Sequence, residues 1–132
     1  MNGLSKIVIC VFTLLLVGVS NVNAQELKKK LRVTYSGNVP SYYMEVGEKL
    51  VEVSQAQITI AFLGENKVRE TLGSSNLEGT YRITSETKNT ITLQVNYPNQ
   101  LVYEELEINK KEKKLIRKGF YPQPSVTLNM VK

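Results

Sequence analysis

Every acidic side chain of this 132-residue chain is a glutamate, and in LVYEELEI (101–108) two of them fall out of step with the apolar residues around them. An alternation begun at Leu101 and Tyr103 carries Glu105 inward, whereas one begun at Leu106 and Ile108 carries Glu104 inward. An unpaired carboxylate in an apolar interior costs several kcal/mol. A β-bulge near Glu104-Glu105 shifts the register by one and is the expected solution. The alternative is an inward carboxylate that meets a basic ligand or an arginine partner. Paired carboxyls are also what a glycosidase needs, at a defined separation, but no glutamate stands in a context that sets it apart from a solvated strand residue. The remaining chemistry is sparse. There is no histidine or aspartate, and the single cysteine, Cys10, lies in the first apolar run, so the Ser-His-Asp, Cys-His and zinc arrangements all lack parts. No G-x-G-x-x-G series offers a phosphate loop. The reading is a non-enzyme without cofactor or metal.

Tyrosine and lysine are what the chain has in quantity. Tyr81, Tyr97 and Tyr103 fall on inward phases of neighbouring segments, with Phe62 similarly placed, while Tyr42, Tyr43 and Tyr121 lie nearer turns. A tyrosine buries a large ring and keeps a hydroxyl that needs a partner, so it suits a core or a ligand pocket. Core filling is the default. Gly79, between Leu77 and Tyr81, takes volume out of the inner face, to admit a neighbouring aromatic or to leave room for a ligand.

The elements that position these residues read as strands. In LEGTYRITSETKNTITLQVNY (77–97), Leu77, Gly79, Tyr81 and Ile83 share one side, as do Ile91, Leu93, Val95 and Tyr97 after the polar break at 85–89. Further strands are expected at 30–36, 42–46, 49–54, 57–63, 67–72, 101–108, 114–118 and 126–131. The breaks are GNVPS (37–41), Gly47-Glu48, Gly64-Glu65-Asn66, 73–76, Pro98-Asn99-Gln100, NKKEKK and the loop 119–125. The stretch 42–56 could instead hold a helical turn. No segment carries an apolar stripe at helical spacing over ten residues. An antiparallel meander of about eight strands curls and closes to remove its edges, giving an all-β up-and-down barrel that is either filled with side chains or hollow enough for one small ligand.

Lys6, the apolar run IVICVFTLLLVGV (7–19) and Val22-Asn23-Ala24 describe a secretory signal peptide cleaved after Ala24. Cys10 precedes more apolar sequence, which does not suit lipid attachment. The mature chain, 25–132, is then one domain with no cysteine, no stable membrane span and a periplasmic or extracellular location. Residues 25–30 read as a loosely held tail. Sixteen basic against twelve acidic residues leave the mature chain at +4, an ordinary charge for solubility, with the excess in two short clusters. KKEKK (110–114), with Arg117 and Lys118 beyond it, could serve single-stranded nucleic acid beside tyrosines, but export argues against a nucleic-acid partner. Lysines that discourage edge pairing account for the run, with an anionic glycan or membrane surface as a minor alternative.

ITIAFLGENKV, LEGTYRIT, TITLQV, LVYEELEI and KKLIRKG together resemble the strand series of small bacterial lipocalin-like (calycin) domains, over about residues 57–118, with Gly79-Thr80-Tyr81 as the distinctive triplet. The Gly-x-Trp that typical lipocalins carry near the first strand is absent, a departure that concerns the pocket more than the barrel. The resemblance implies a barrel that binds a small apolar molecule, lined by Phe62, Tyr81, Leu93, Val95 and Tyr103. A second function stays open beside it: a rigid, filled β-domain that binds a protein or glycan through the loops at 37–41, 73–76 and 119–125.

Overall fold

Period-two patterning becomes ten antiparallel strands in the computed structural model, which describes residues 25–132; the expected leader and Cys10 lie outside the described residues. The strands are β1 (Thr34–Val39), β2 (Tyr42–Val46), β3 (Lys49–Val53), β4 (Ala56–Phe62), β5 (Lys67–Leu72), β6 (Ser75–Glu86), β7 (Thr90–Asn96), β8 (Glu104–Asn109), β9 (Lys114–Arg117) and β10 (Val126–Met130). Eight of them close a barrel in the order β1-β10-β9-β8-β7-β6-β5-β4, each antiparallel to its neighbours. β2 and β3 form a separate hairpin inserted between the first two barrel strands. The stretch 42–56 is thus a hairpin turned at Gly47, whose φ of 64° suits a residue without a Cβ.

Closure follows from sidedness. Ile58, Ile60 and Phe62 on β4, Leu93 and Val95 on β7, Leu106 and Ile108 on β8, and Leu128 on β10 all point inward and are almost wholly buried. The opposite faces carry polar and charged side chains, including the ion pair Arg69–Glu78 at 2.7 Å and the Arg82–Gln94 hydrogen bond at 2.6 Å. Apolar inside and polar outside is the reverse of a membrane-spanning barrel.

Three details of the sequence reading change. β1 begins at Thr34 and runs through Gly37 to Val39, paired residue for residue with β4, so the glycine at 37 is not a break. It shares the inward phase of Tyr35 and Val39, and a Cβ there would lie 2.9 Å from the Thr127 carbonyl oxygen and 3.2 Å from Leu128 Cγ. No bulge occurs at Glu104-Glu105, since β8 pairs with β7 without interruption from Asn109 to Glu104. The register shift lies in β6, between Ile83 and Ser85.

The third change concerns the start of the domain. Residues 25–32 are not a loose tail but a cap over one end of the barrel. A turn closed by Leu31 N–H donating to the Lys28 carbonyl (2.9 Å) brings Leu27 and Leu31 to the same side, and both are buried. The Leu27 N–H donates to the Tyr81 hydroxyl at 3.0 Å, and the Tyr35 hydroxyl donates to the Leu31 carbonyl at 3.2 Å. Asn66, in the β4–β5 turn with φ 58°, donates its backbone N–H to Glu26 Oε1 and its amide to the Gln25 carbonyl. Two leucines four residues apart were enough to cover an opening, and the lysines between them hid that from composition.

The antiparallel order gives the barrel two unlike ends. This cap end carries the turns at 63–66, 87–89 and 110–113. The loop end carries the β2–β3 hairpin, the turn at 73–74 and the loops 97–103 and 118–125.

Gly79 sets how tightly the wall closes. A Cβ on it would collide with the Asn96 backbone carbonyl and lie 2.7 Å from Tyr97 Cδ1, so the missing volume admits a neighbouring aromatic. The obstructing atom is backbone and cannot swing away. Gly79→Ala is therefore expected to lower Tm by roughly 5–15 °C, from about 1–3 kcal/mol of overpacking. Thermal unfolding followed by circular dichroism checks it, and an unchanged Tm would show that β6 and β7 are not held this closely.

Candidate functional site

Phe62, Tyr81, Leu93 and Val95 do meet inside the barrel, each at most 4% exposed. They meet as packing partners. The Phe62 ring stands edge-on to Tyr81 at 5.4 Å and to Tyr35 at 5.9 Å between centroids, an arrangement favoured by the ring quadrupoles. Leu27 and Leu31 stop the cap end above them. Tyr103 does not join the group. Pro98 ends β7 because it cannot donate to a ladder, Asn99 turns with φ 67°, and the chain re-enters the sheet only at Glu104, leaving Tyr103 half exposed on the loop.

The phase of β8 is consequently set by Leu106 and Ile108, and it carries Glu104 inward. There it meets an arginine. Arg117 Nε lies 2.8 Å from Glu104 Oε1 and 2.8 Å from Glu70 Oε1, and all three side chains are nearly inaccessible. β9 and β5 stand four places apart in the eight-stranded ring, so Arg117 reaches across the interior to the opposite wall. Its Nη1 donates to Gln123 Oε1 at 2.7 Å, tying the loop 118–125 to the same point. Tyr97, also buried, lies beside the cluster, close enough for the charges of Glu70 and Glu104 to act on its phenol.

One guanidinium can neutralise one carboxylate. The Nε–H is aimed at Glu104, and Glu70 Oε1 receives no hydrogen bond from it despite the same distance. A proton on Glu70 would leave the buried cluster neutral, with one guanidinium facing one carboxylate. Burial first, and then the Glu104 charge, push the Glu70 carboxyl up to about 7, against the pull of Arg117. Burial works against the Arg117 charge, but Glu70 and Glu104 beside it outweigh this and hold the guanidinium protonated. Burial and the two carboxylates raise Tyr97, which stays a neutral phenol. Two carboxyls sharing one nitrogen leave no gap for a sugar or a water between them, so this is not a glycosidase pair. The cluster is a stopper for the loop end.

Beyond the stopper the surface turns apolar. Leu101 and Tyr121 are essentially fully exposed, at 105% and 98%, and Tyr43, Leu50, Val102 and Phe120 are also open to solvent. Tyr43, Met44, Leu50, Tyr121 and Pro122 line a cleft of about 280 Å³ between the hairpin and the β9–β10 loop. This loop is braced: Ser125 Oγ donates to the Lys118 carbonyl at 2.9 Å, Gln123 N–H to the Phe120 carbonyl at 2.7 Å, and Gly119 turns with φ 70°. The expected binding loops 37–41, 73–76 and 119–125 all reach this end, but only the last supplies large exposed apolar groups.

No family model, curated protein or solved structure matches the chain. The expected strands 42–46 and 49–54 do form a hairpin turned at Gly47, and the expected break at 98–100 extends through Tyr103; alternation alone gives no sign that either contributes to a surface site. Glu70 and Arg117 were missed although a signal existed, since Glu70 sits on the phase of Val68 and Leu72, and Arg117 on that of Leu115.

Glu70 makes the stopper sensitive to pH. Between the ordinary carboxyl range, near 4.5, and about 7, the folded protein keeps a proton that the unfolded chain has released. Stability attributable to Glu70 therefore falls as pH rises through that window. Glu70→Gln, permanently uncharged, is expected to gain stability relative to the parent between about pH 5 and about pH 8. Urea unfolding at a series of pH values measures the difference, and parallel curves would place the proton elsewhere. Arg117→Met leaves Glu104 buried without a countercharge and is expected to cost about 3–5 kcal/mol at neutral pH.

Proposed function

We propose that the chain is an exported, non-enzymatic binding domain of lipocalin-like build, and that a protein partner docks on its loop end. One observation carries the reading: of the ten large apolar side chains exposed among the described residues, nine lie on the β2–β3 hairpin and the loops 97–103 and 118–125. Apolar groups gathered on one side of a domain mark an interaction surface, whereas single ones scattered over it would not.

Between the two functions left open by the sequence, the geometry favours the filled domain over the hollow one. Inward positions are taken by side chains packed on each other, and both ends are stopped, by Leu27 and Leu31 on one side and by the Glu70–Arg117–Glu104 cluster on the other. Among partners for the loop end, a protein fits better than a glycan. Tyr43 and Tyr121 could stack on sugar rings, but Leu50, Leu101 and Val102 offer aliphatic surface with no polar group to a hydroxylated ligand. Glu45, Glu48 and Glu52 against the single Lys49 make the hairpin negative, so the complementary face is apolar with a basic rim.

A photocrosslinking residue at Leu50 or Tyr121, in cells that export the protein, is expected to give an adduct of one defined mass. Arg82 and Thr92 on the barrel wall are expected to give none. Tyr43→Ser combined with Leu101→Ser is expected to abolish the adduct. Equal yields from wall and loop end, or adducts indifferent to the substitutions, would defeat the proposal. A small apolar molecule that co-purifies in native mass spectrometry, with no loop-end adducts, would return the function to the barrel interior.

A further inference from the structure

The two lysine clusters, eighty residues apart in sequence, converge on the cap end. Lys28 and Lys30 from the cap and Lys110 from the β8–β9 turn line one cleft of about 110 Å³, over a floor that includes Leu27, Leu31 and Ile91. The rest of that end is equally basic. Lys67 follows the β4–β5 turn, Lys88 lies in the β6–β7 turn, Lys111, Lys113 and Lys114 in and beside the β8–β9 turn, and Lys132 follows β10. Counting Lys29 and Arg32, this end holds eleven basic side chains against Glu26, Glu65, Glu86 and Glu112, a net +7; the rest of the described chain, with five basic and eight acidic, is −3. Ion pairing does not cancel the excess. Arg32 is taken by Glu26, Lys67 by Glu65 and Lys110 by Glu86, while Lys28, Lys29, Lys30, Lys111, Lys113 and Lys114 are exposed.

We infer that the cap end docks on an anionic bilayer surface, with its ring of lysines against the lipid phosphates. Three features favour a membrane over a soluble polyanion. The lysines come from every strand junction at that end, so the charge forms a disc, which matches a plane better than a groove would match a strand of polymer. The cleft sets Lys28, Lys30 and Lys110 beside Glu26 and Glu86, the last paired with Lys110, above an aliphatic floor. Unpaired ammonium groups thus stand next to apolar carbon, as at the boundary between a headgroup and its first carbons. Gln25, where the described chain begins, lies at this end, and the apolar run 7–19 precedes it by five residues. This surface is independent of the loop end and of any partner there.

Each lysine close to an anionic membrane contributes about a fivefold gain in partitioning. The exported protein is expected to co-sediment with vesicles containing roughly 30 mol% phosphatidylglycerol in phosphatidylcholine, and to dissociate as salt screens the charges from about 0.05 to about 0.5 M. Replacing Lys30, Lys111, Lys113 and Lys114 together by glutamine is expected to weaken binding at least about a hundredfold with Tm unchanged, whereas arginine at the same four positions retains it. Lys49→Gln with Lys118→Gln, at the loop end, is the matched control and binds as the parent. Equal binding to pure phosphatidylcholine, indifference to salt, or full binding by the four-glutamine variant overturns the inference. Retention on heparin with no vesicle binding also overturns it, and assigns the disc to a soluble polyanion. Should the four-glutamine variant not fold, the lipid and salt dependence of the parent still decides.

Discussion

An arginine that crosses the barrel to reach two glutamates is the constraint around which the loop end is built. Arg117 stands on β9, Glu104 beside it on β8 and Glu70 on the opposite wall, so one guanidinium fixes the inward phase of three strands. A one-residue slip of any of them would turn its charged group out and leave the others unpaired in the interior. Clusters of this kind add little net stability compared with apolar packing, yet losing one member costs several kcal/mol. The gain is in register and in a closed mouth. Because Arg117 also holds Gln123, the loop bearing Phe120 and Tyr121 is anchored to the same point. Rigid presentation of exposed aromatics thus follows from a charge placed indoors.

Strand alternation made the barrel legible, because the inward side chains of β4, β7 and of β6 as far as Ile83 follow a period of two, and the inward face is apolar except at Glu70, Glu104 and Arg117. The failures have particular causes. Tyr103 was assigned by continuing the phase of Leu101, but Pro98 and Asn99 take the chain out of the sheet, and the phase restarts at Glu104. Gly37 looked like a break because glycine usually marks turns; here it allows the close approach of β10. The glutamate that fell out of step in LVYEELEI was resolved by an arginine partner and not by a bulge, since a compensating charge lay on the inward phase of a neighbouring strand. That match needs pairing between β8 and β9, which alternation within one segment does not contain. The cap was the hardest to read, because Leu27 and Leu31 are isolated in lysines and their burial depends on an opening that exists only once the barrel has closed.

Polarity between the ends follows from the same topology. In an up-and-down barrel every second connection falls at the same end, so clusters remote in sequence become neighbours: residues 28–32 meet 110–114 at one end, and the hairpin meets residues 118–125 at the other. The charge of +4 over residues 25–132 conceals a molecule that is strongly basic at the cap and acidic elsewhere. Counting charge along the chain makes this look like ordinary solubility; folding turns it into direction.

That direction also limits where binding can occur. The wall is a lattice of threonines, glutamines and exposed ion pairs such as Arg69–Glu78 and Lys118–Glu107, which contribute little energy individually and stay well hydrated. Closure leaves no free strand edge in the barrel for a partner to extend, and packing leaves the interior to the protein's own side chains. Recognition is left to the two ends, whose chemistry is opposite: lysines over an aliphatic floor at the cap, aromatic and aliphatic groups with glutamates on the hairpin. A barrel standing with its cap on an anionic surface holds its loop end as far from that surface as the fold allows. In the proposed orientation the apolar residues of the loop end face away from lipid and toward the proposed protein partner, with the arginine cross-brace closing the barrel beneath them.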